Sequence, residues 1–113
     1  MTLRQARCSF TQAIAMLIQY TILTGYEVAL GEGLDRVTAK DPTTDHMKGS
    51  LHEIGLAQDI ALYVNGNYQT ETIDYTILGE WWEKLGVERG WPLAWGGRFK
   101  DGNHFSWAWE GKK

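Results

Sequence analysis

Two short stretches hold the residue types from which a metal-dependent hydrolytic site can be built. The first is Ser50-Leu51-His52-Glu53-Ile54-Gly55-Leu56-Ala57-Gln58-Asp59, which sets a histidine and an aspartate seven residues apart. The second is Asp101-Gly102-Asn103-His104-Phe105-Ser106-Trp107, which supplies another histidine with a carboxylate three residues before it. The chain has a single cysteine, Cys8, so no disulfide can close within it and a cysteine-based zinc site is excluded. Cys8 itself reads as an ordinary packed or partly exposed thiol. Any metal must therefore be held by His, Asp or Glu. His52, Asp59 and His104 make a catalytic type of zinc set, with three protein ligands and the fourth position left for water.

A lone histidine is more often a surface or core residue than a ligand, and only the joint spacing with Asp59 lifts His52 and His104 out of that class. His46 has no such company; it lies in a polar stretch and reads as solvated or substrate-facing. Glu53 is a rival catalytic carboxylate, because His52-Glu53 looks like the start of a His-Glu-x-x-His helix. Leu56 occupies the place of the second histidine, and Gly55 weakens a helix there. Parity adds a constraint, since residues seven apart on a continuous strand point to opposite faces. His52 and Asp59 can share a metal only if the chain breaks register between them, and Gly55 is placed for that break. In the second stretch, Gly102 and Asn103 can form the turn that brings Asp101 and His104 into one cleft.

The elements that must position these residues follow from periodicity. Residues 9–24 read as a helix with a Ser9-x-x-Gln12 capping box and an apolar stripe of Phe10, Ile14, Leu17, Ile18 and Ile22, ended by Gly25. This reading is preferred to a targeting segment, because Gln12, Gln19, Tyr20 and Thr21 interrupt the apolar run. Residues 26–30 read as a strand with Tyr26, Val28 and Leu30 on one face. A long polar loop follows over residues 31–49, containing Pro42. Residues 55–64 read as a second strand, and Asn65-Gly66 as a hairpin turn from which residues 68–70 pair back. A second helix is expected over residues 73–85, with Ile77, Leu78, Trp81, Trp82 and Leu85 inward and Gly86 at its end. Residues 93–99 and 104–109 read as short aromatic strands. Hairpins mixed with separate helices point to an α+β fold, a small antiparallel sheet with flanking helices. Among the tryptophans, at least one of Trp81 and Trp82 belongs in the core, as do Trp107 and Trp109. Trp91 and Trp95 are expected at the rim of a substrate groove.

Composition limits the function classes. At 113 residues the chain is read as one domain, residues 1–113. Its formal net charge of -3 argues against a nucleic-acid binder, which draws most of its affinity from phosphate neutralisation. No apolar run is long enough to span a membrane, so stable membrane insertion is not expected.

The pattern Ser-x-His-x-x-Gly-x-Ala-x-Asp, from Ser50 to Asp59, followed by Asp-x-x-His at Asp101 and His104, resembles the D-alanyl-D-alanine carboxypeptidase and L-alanyl-D-glutamate endopeptidase family. That family includes many phage endolysins, and Hedgehog-type domains resemble it. The resemblance covers about residues 26–107 and implies a Hedgehog/DD-peptidase-like fold. It also implies Zn2+ bound by His52, Asp59 and His104, with Asp101 as the catalytic acid/base. An arginine upstream of the first motif often steadies the substrate carbonyl in this family. The best match is Arg36, in Gly33-Leu34-Asp35-Arg36, which could instead pair with Asp35 or Glu32. Ser50, His46 and Trp95 are then the expected substrate-facing residues. Gln58 stands where the family usually has a small or aliphatic residue.

What the resemblance implies is a zinc-dependent peptidase acting on a peptidoglycan stem peptide, at the L-Ala–D-Glu bond. The alternatives are a D-Ala-D-Ala carboxypeptidase of wall remodelling, or a non-catalytic wall-binding or structural module on the same fold. A monomer is expected. A phage lysis enzyme of this type accumulates in the cytoplasm of the producing cell and reaches the wall through a holin.

Overall fold

The computed structural model of the chain describes residues 1–31 and 50–113. Its first element is helix α1 (Leu3–Leu23), which buries Ala6, Phe10, Ala13, Leu17 and Thr21 along one stripe. The helix starts earlier than the expected Ser9-Gln12 box. Thr2 is the N-cap: its hydroxyl accepts the Gln5 N–H at 3.1 Å, and the Gln5 side chain returns a bond to the Thr2 N–H at 2.8 Å. That reciprocal pair satisfies two of the donors a helix start leaves orphaned, which puts Ser9 and Gln12 in the helix interior. Cys8 is a free, exposed thiol rather than a packed one.

Strand β1 (Glu27–Leu30) leads to the described end at Gly31; β2 (Ala57–Val64) then forms the centre of the sheet. A tight turn at Asn65 and Gly66, both with positive φ (53° and 80°), returns the chain as β3 (Asn67–Tyr68), a shorter partner than expected. A 3₁₀ turn (Thr72–Tyr75) precedes helix α2 (Thr76–Arg89). The expected stop at Gly86 is wrong: Gly86 is buried inside the helix, and Gly90 caps it in the left-handed conformation (φ 68°). Ile77, expected inward, is exposed. The last two strands are β4 (Leu93–Trp95) and β5 (His104–Trp107), both shorter than expected: Gly96–Phe99 coils into a 3₁₀ turn after β4, and the chain beyond β5 turns back at Glu110 and Gly111, both with positive φ.

The sheet order is β1-β2-β5-β4, with β3 also on β2 and every pairing antiparallel. Together with the two helices this is the α+β fold expected from the pattern of elements. Alternation gives the sheet two different faces. Ile60 and Leu62 of β2, with Phe105 and Trp107 of β5, join the core with α1 and α2. Trp82 of α2 sits at its centre, edge-on to Phe10 at 6.0 Å between ring centroids and to Phe105 at 5.7 Å. Each such ring contributes roughly 1.5–3 kcal/mol by leaving water. Asp59 and His104 alternate with these core residues and so project from the opposite face.

Candidate metal centre

Register brings two of the three expected ligands together. Asp59 and His104 are directly opposed in the β2–β5 pairing, and opposed residues of an antiparallel pair hold their Cβ atoms about 4.5–5.5 Å apart. His52 arrives differently. It lies outside β2, on a turn over residues 51–55 anchored by the buried Leu51, whose carbonyl accepts the Leu56 N–H at 2.9 Å. Gly55 closes the turn with φ +78°, a conformation L side chains rarely adopt. The register break expected at Gly55 is therefore present, and strand parity no longer separates His52 from Asp59.

The three side chains converge on one point. His52 Nε2 lies 3.3 Å from His104 Nδ1, and Asp59 Oδ1 lies 3.5 Å from each of those nitrogens. The side chains of His52, Asp59 and His104 are 7%, 14% and 8% exposed, so the cluster is shielded without being sealed. These separations are long for good hydrogen bonds, which favour about 2.7–3.2 Å between N and O. They match the edges of a tetrahedron around a cation whose bonds to N and O are about 2.0–2.2 Å, which are about 3.3–3.6 Å long. Asp59 Oδ1 is also buried with no hydrogen-bond partner, an arrangement that is costly unless something else satisfies the oxygen. A divalent cation fits this donor set, and the three residues form a metal-capable group among the described residues.

Asp101 stands beside the cluster, more open than the rest. Its side chain is 53% exposed, and its Oδ2 lies 3.9 Å from His104 Nδ1. The turn that carries it is held tightly. The Asp101 N–H donates to the Gly96 carbonyl at 2.9 Å, and the Asp101 carbonyl accepts the His104 N–H at 3.1 Å. A Cβ on Gly96 would lie 2.1 Å from the Asp101 carbonyl oxygen and 2.6 Å from His104 Cβ. Only glycine allows these two segments to approach so closely. Thr72 Oγ1 accepts the Gly102 N–H at 3.2 Å, and the Asn103 carbonyl accepts the Ile60 N–H at 2.9 Å.

This fold has a known counterpart. The chain is similar in structure to the crystal structure of ChiX, an L-Ala D-Glu endopeptidase of Serratia marcescens. The TM-score is 0.64 at 20% sequence identity, and the match covers 94% of this chain and 83% of ChiX. No protein-family model matches the chain, and no curated protein matches it. What the likeness shows is a shared peptidase fold.

The remaining expected site residues fall into three groups. Arg36 and His46 lie outside the described residues. Ser50 opens the turn that carries His52, where its carbonyl accepts the Glu53 N–H at 3.2 Å; its own hydroxyl is buried. Glu53, the rival carboxylate, is exposed. Trp95 departs from expectation. It is 4% exposed and belongs to the core, because β4 pairs it with Phe105 on the helix-facing side of the sheet; the cleft it borders is shared with Arg98 and Phe99 and with none of the three candidate ligands. Its indole N–H donates to the Gly102 carbonyl at 2.7 Å, so it braces the Asp101 turn from beneath. Trp91 is likewise packed against the core. Sequence reasoning missed Gly96 and Thr72 as supports of the site. Gly96-Gly97 was visible in the sequence, but nothing local said which segment would approach it.

Proposed function

We propose that the chain is a zinc-dependent peptidase that hydrolyses peptidoglycan stem peptides, with the L-Ala–D-Glu bond as its target. The observation that carries the proposal is the triangle of ligand atoms, 3.3–3.5 Å on each side, on a fold similar to that of an L-Ala D-Glu endopeptidase. In this reading His52 Nε2, His104 Nδ1 and Asp59 Oδ1 hold the ion. When bound, zinc supplies Lewis acidity, polarising a carbonyl oxygen and making water acidic enough to act as a nucleophile near neutral pH.

The chain's own groups do the rest. Asp101, exposed to solvent and 3.9 Å from His104, accepts the proton of the attacking water and returns it to the leaving nitrogen. Its turn, braced by Gly96, Thr72 and Trp95, holds that carboxylate in one place relative to the ligands, which is where much of the rate advantage of a positioned base arises. The buried face beneath Asp59 and His104 keeps bulk water away from one side of the cluster. No described helix is long and apolar enough to cross a membrane. In this reading the enzyme is of endolysin type and reaches the wall after release from the producing cell.

Digestion of purified peptidoglycan by the zinc-loaded protein, followed by mass spectrometry of the products, tests this. New D-Glu amino termini are expected. Release of terminal D-Ala would instead establish the carboxypeptidase alternative. Tight wall binding without turnover would establish a non-catalytic module. Absence of any cleavage, unchanged in Asp101→Ala, would reject hydrolysis altogether.

A further inference from the structure

A cleft of about 130 Å³ opens between the start of the 3₁₀ turn at Thr72 and residues 100–103, with Asp101 in its wall and Lys100 on its lining. We propose that this cleft is the subsite for the residue on the amine side of the scissile bond, and that Lys100 selects a leaving residue bearing a free carboxylate. The inference rests on the peptidase reading above.

Position comes first. If Asp101 returns a proton to the leaving nitrogen, the residue owning that nitrogen must lie against Asp101, and this cleft is the space that Asp101 walls. Preorganisation is the second support. The Gly102 peptide is held from both ends, its N–H by Thr72 Oγ1 at 3.2 Å and its carbonyl by Trp95 Nε1 at 2.7 Å. The next carbonyl, of Asn103, is tied to β2 through Ile60. A cleft with a fixed wall does not have to be ordered by its ligand, so less binding energy is lost on association.

Charge is the third support. Lys100 makes no ion pair among the described residues. Its backbone is left-handed (φ 64°) where it ends the Gly96–Phe99 turn. Two carboxylates share the lining with it. Glu71 is fixed at the cleft edge through its backbone, its carbonyl accepting the Asp74 N–H and its N–H donating to Asp74 Oδ2, each at 3.0 Å, and Asp101 is reserved for the proton in this reading. An acidic ligand would be repelled by both, so its acceptance depends on the Lys100 ammonium. The D-Glu of the proposed substrate carries such a carboxylate when it is the leaving residue.

Two synthetic peptides test this, identical except that the leaving residue carries a free carboxylate in one and a carboxamide in the other. The zinc-loaded wild type is expected to prefer the free acid by about tenfold in kcat/KM, the scale of one charge-assisted hydrogen bond. Lys100→Met should lower only the free-acid rate, down to that of the carboxamide, while Lys100→Arg keeps the preference. No preference in the wild type, or an equal loss on both peptides in Lys100→Met, overturns the assignment, since a merely structural role would affect both alike. Binding of the two amine-side product peptides to the metal-free protein, followed by NMR at the Lys100 and Asn103 amides, separates the two levels of inference. Carboxylate-dependent shifts that vanish in Lys100→Met uphold the subsite even if hydrolysis itself fails. Identical shifts with acid and amide refute it.

Discussion

His52, Asp59 and His104 each bring one lone pair to a shared point, yet they are not equivalent. Asp59 and His104 are set by strand register, whereas His52 is set by a turn that a single positive-φ glycine closes. Removing any one leaves two ligands, too few to hold zinc firmly. His52→Ala is therefore expected to purify without stoichiometric metal and without cleavage activity while keeping its circular dichroism spectrum; metal analysis of the purified variant checks this. Asp101→Asn should behave differently. It keeps the three ligands, so metal content stays at the wild-type level while kcat falls by about 10²–10⁴-fold, the usual contribution of a positioned acid/base. Tyr75 offers a prediction unrelated to chemistry. Its hydroxyl donates to the Gln69 carbonyl at 2.9 Å and accepts the Leu62 N–H at 3.2 Å, locking the β2–β3 hairpin to the turn before α2. Tyr75→Phe leaves the Leu62 N–H unsatisfied and should destabilise by about 1–3 kcal/mol in urea unfolding. Burial also raises the Tyr75 phenol above its usual 10.0. The folded state thus holds that proton more tightly than the unfolded chain, so the associated stability is present below pH 10 and declines as pH rises above it. Tyr75→Phe should lose that alkaline decline.

At the level of elements, the turn joining β4 to β5 governs the site. It contains the Gly96–Phe99 coil, the left-handed Lys100 and Asp101, and it is clamped by Thr72 from one side and Trp95 from the other. Arg98 adds a two-pronged bond to Glu83 of α2, at 2.9 and 2.6 Å; being exposed, it steadies the turn more than it stabilises the fold. Gly96→Ala places a methyl group 2.1 Å from the Asp101 carbonyl oxygen, and the neighbour there is backbone, which cannot swing away. The expected result is a loss of about 1–3 kcal/mol in stability together with weaker zinc retention against a competing chelator. Unchanged zinc retention would mean that the turn and the ligands are mechanically independent.

Across the whole molecule, one apolar layer of helices and inner-face side chains supports a thin polar site on the other face of the sheet. Within the described residues the candidate cation site draws its donors from β2, β5 and the turn before β2, so an ion bound there would tie together segments far apart in sequence. An ion that binds only the folded chain stabilises it by mass action, by about 4 kcal/mol at a thousandfold excess over Kd. Chelation should therefore lower the melting temperature of the wild type in calorimetry, and His104→Ala should show no such response. A wild-type melting curve indifferent to chelator would contradict a metal shared by three segments.

What was legible beforehand followed from local rules. The α+β class came from the mixture of hairpin and helix patterns; the Asn65-Gly66 turn and the Gly55 break came from the conformations those residues tolerate. The His52, Asp59 and His104 set, a metal-capable group in the fold, was singled out from residue chemistry and spacing, because so few residue types can hold a divalent ion. What stayed hidden depends on contacts between distant segments. The helix start at Thr2 turned on which of two capping boxes forms, and the stop at Gly90 on Gly86 being buried against Leu93 and Trp91. Trp95 became a core brace of the Asp101 turn because strand pairing with Phe105 turned it inward. Gly96 and Thr72 meet the Asp101 turn only after the chain has folded. Residue type determines which atoms can bind or transfer a proton, while packing among remote segments decides which of them meet and which face they share.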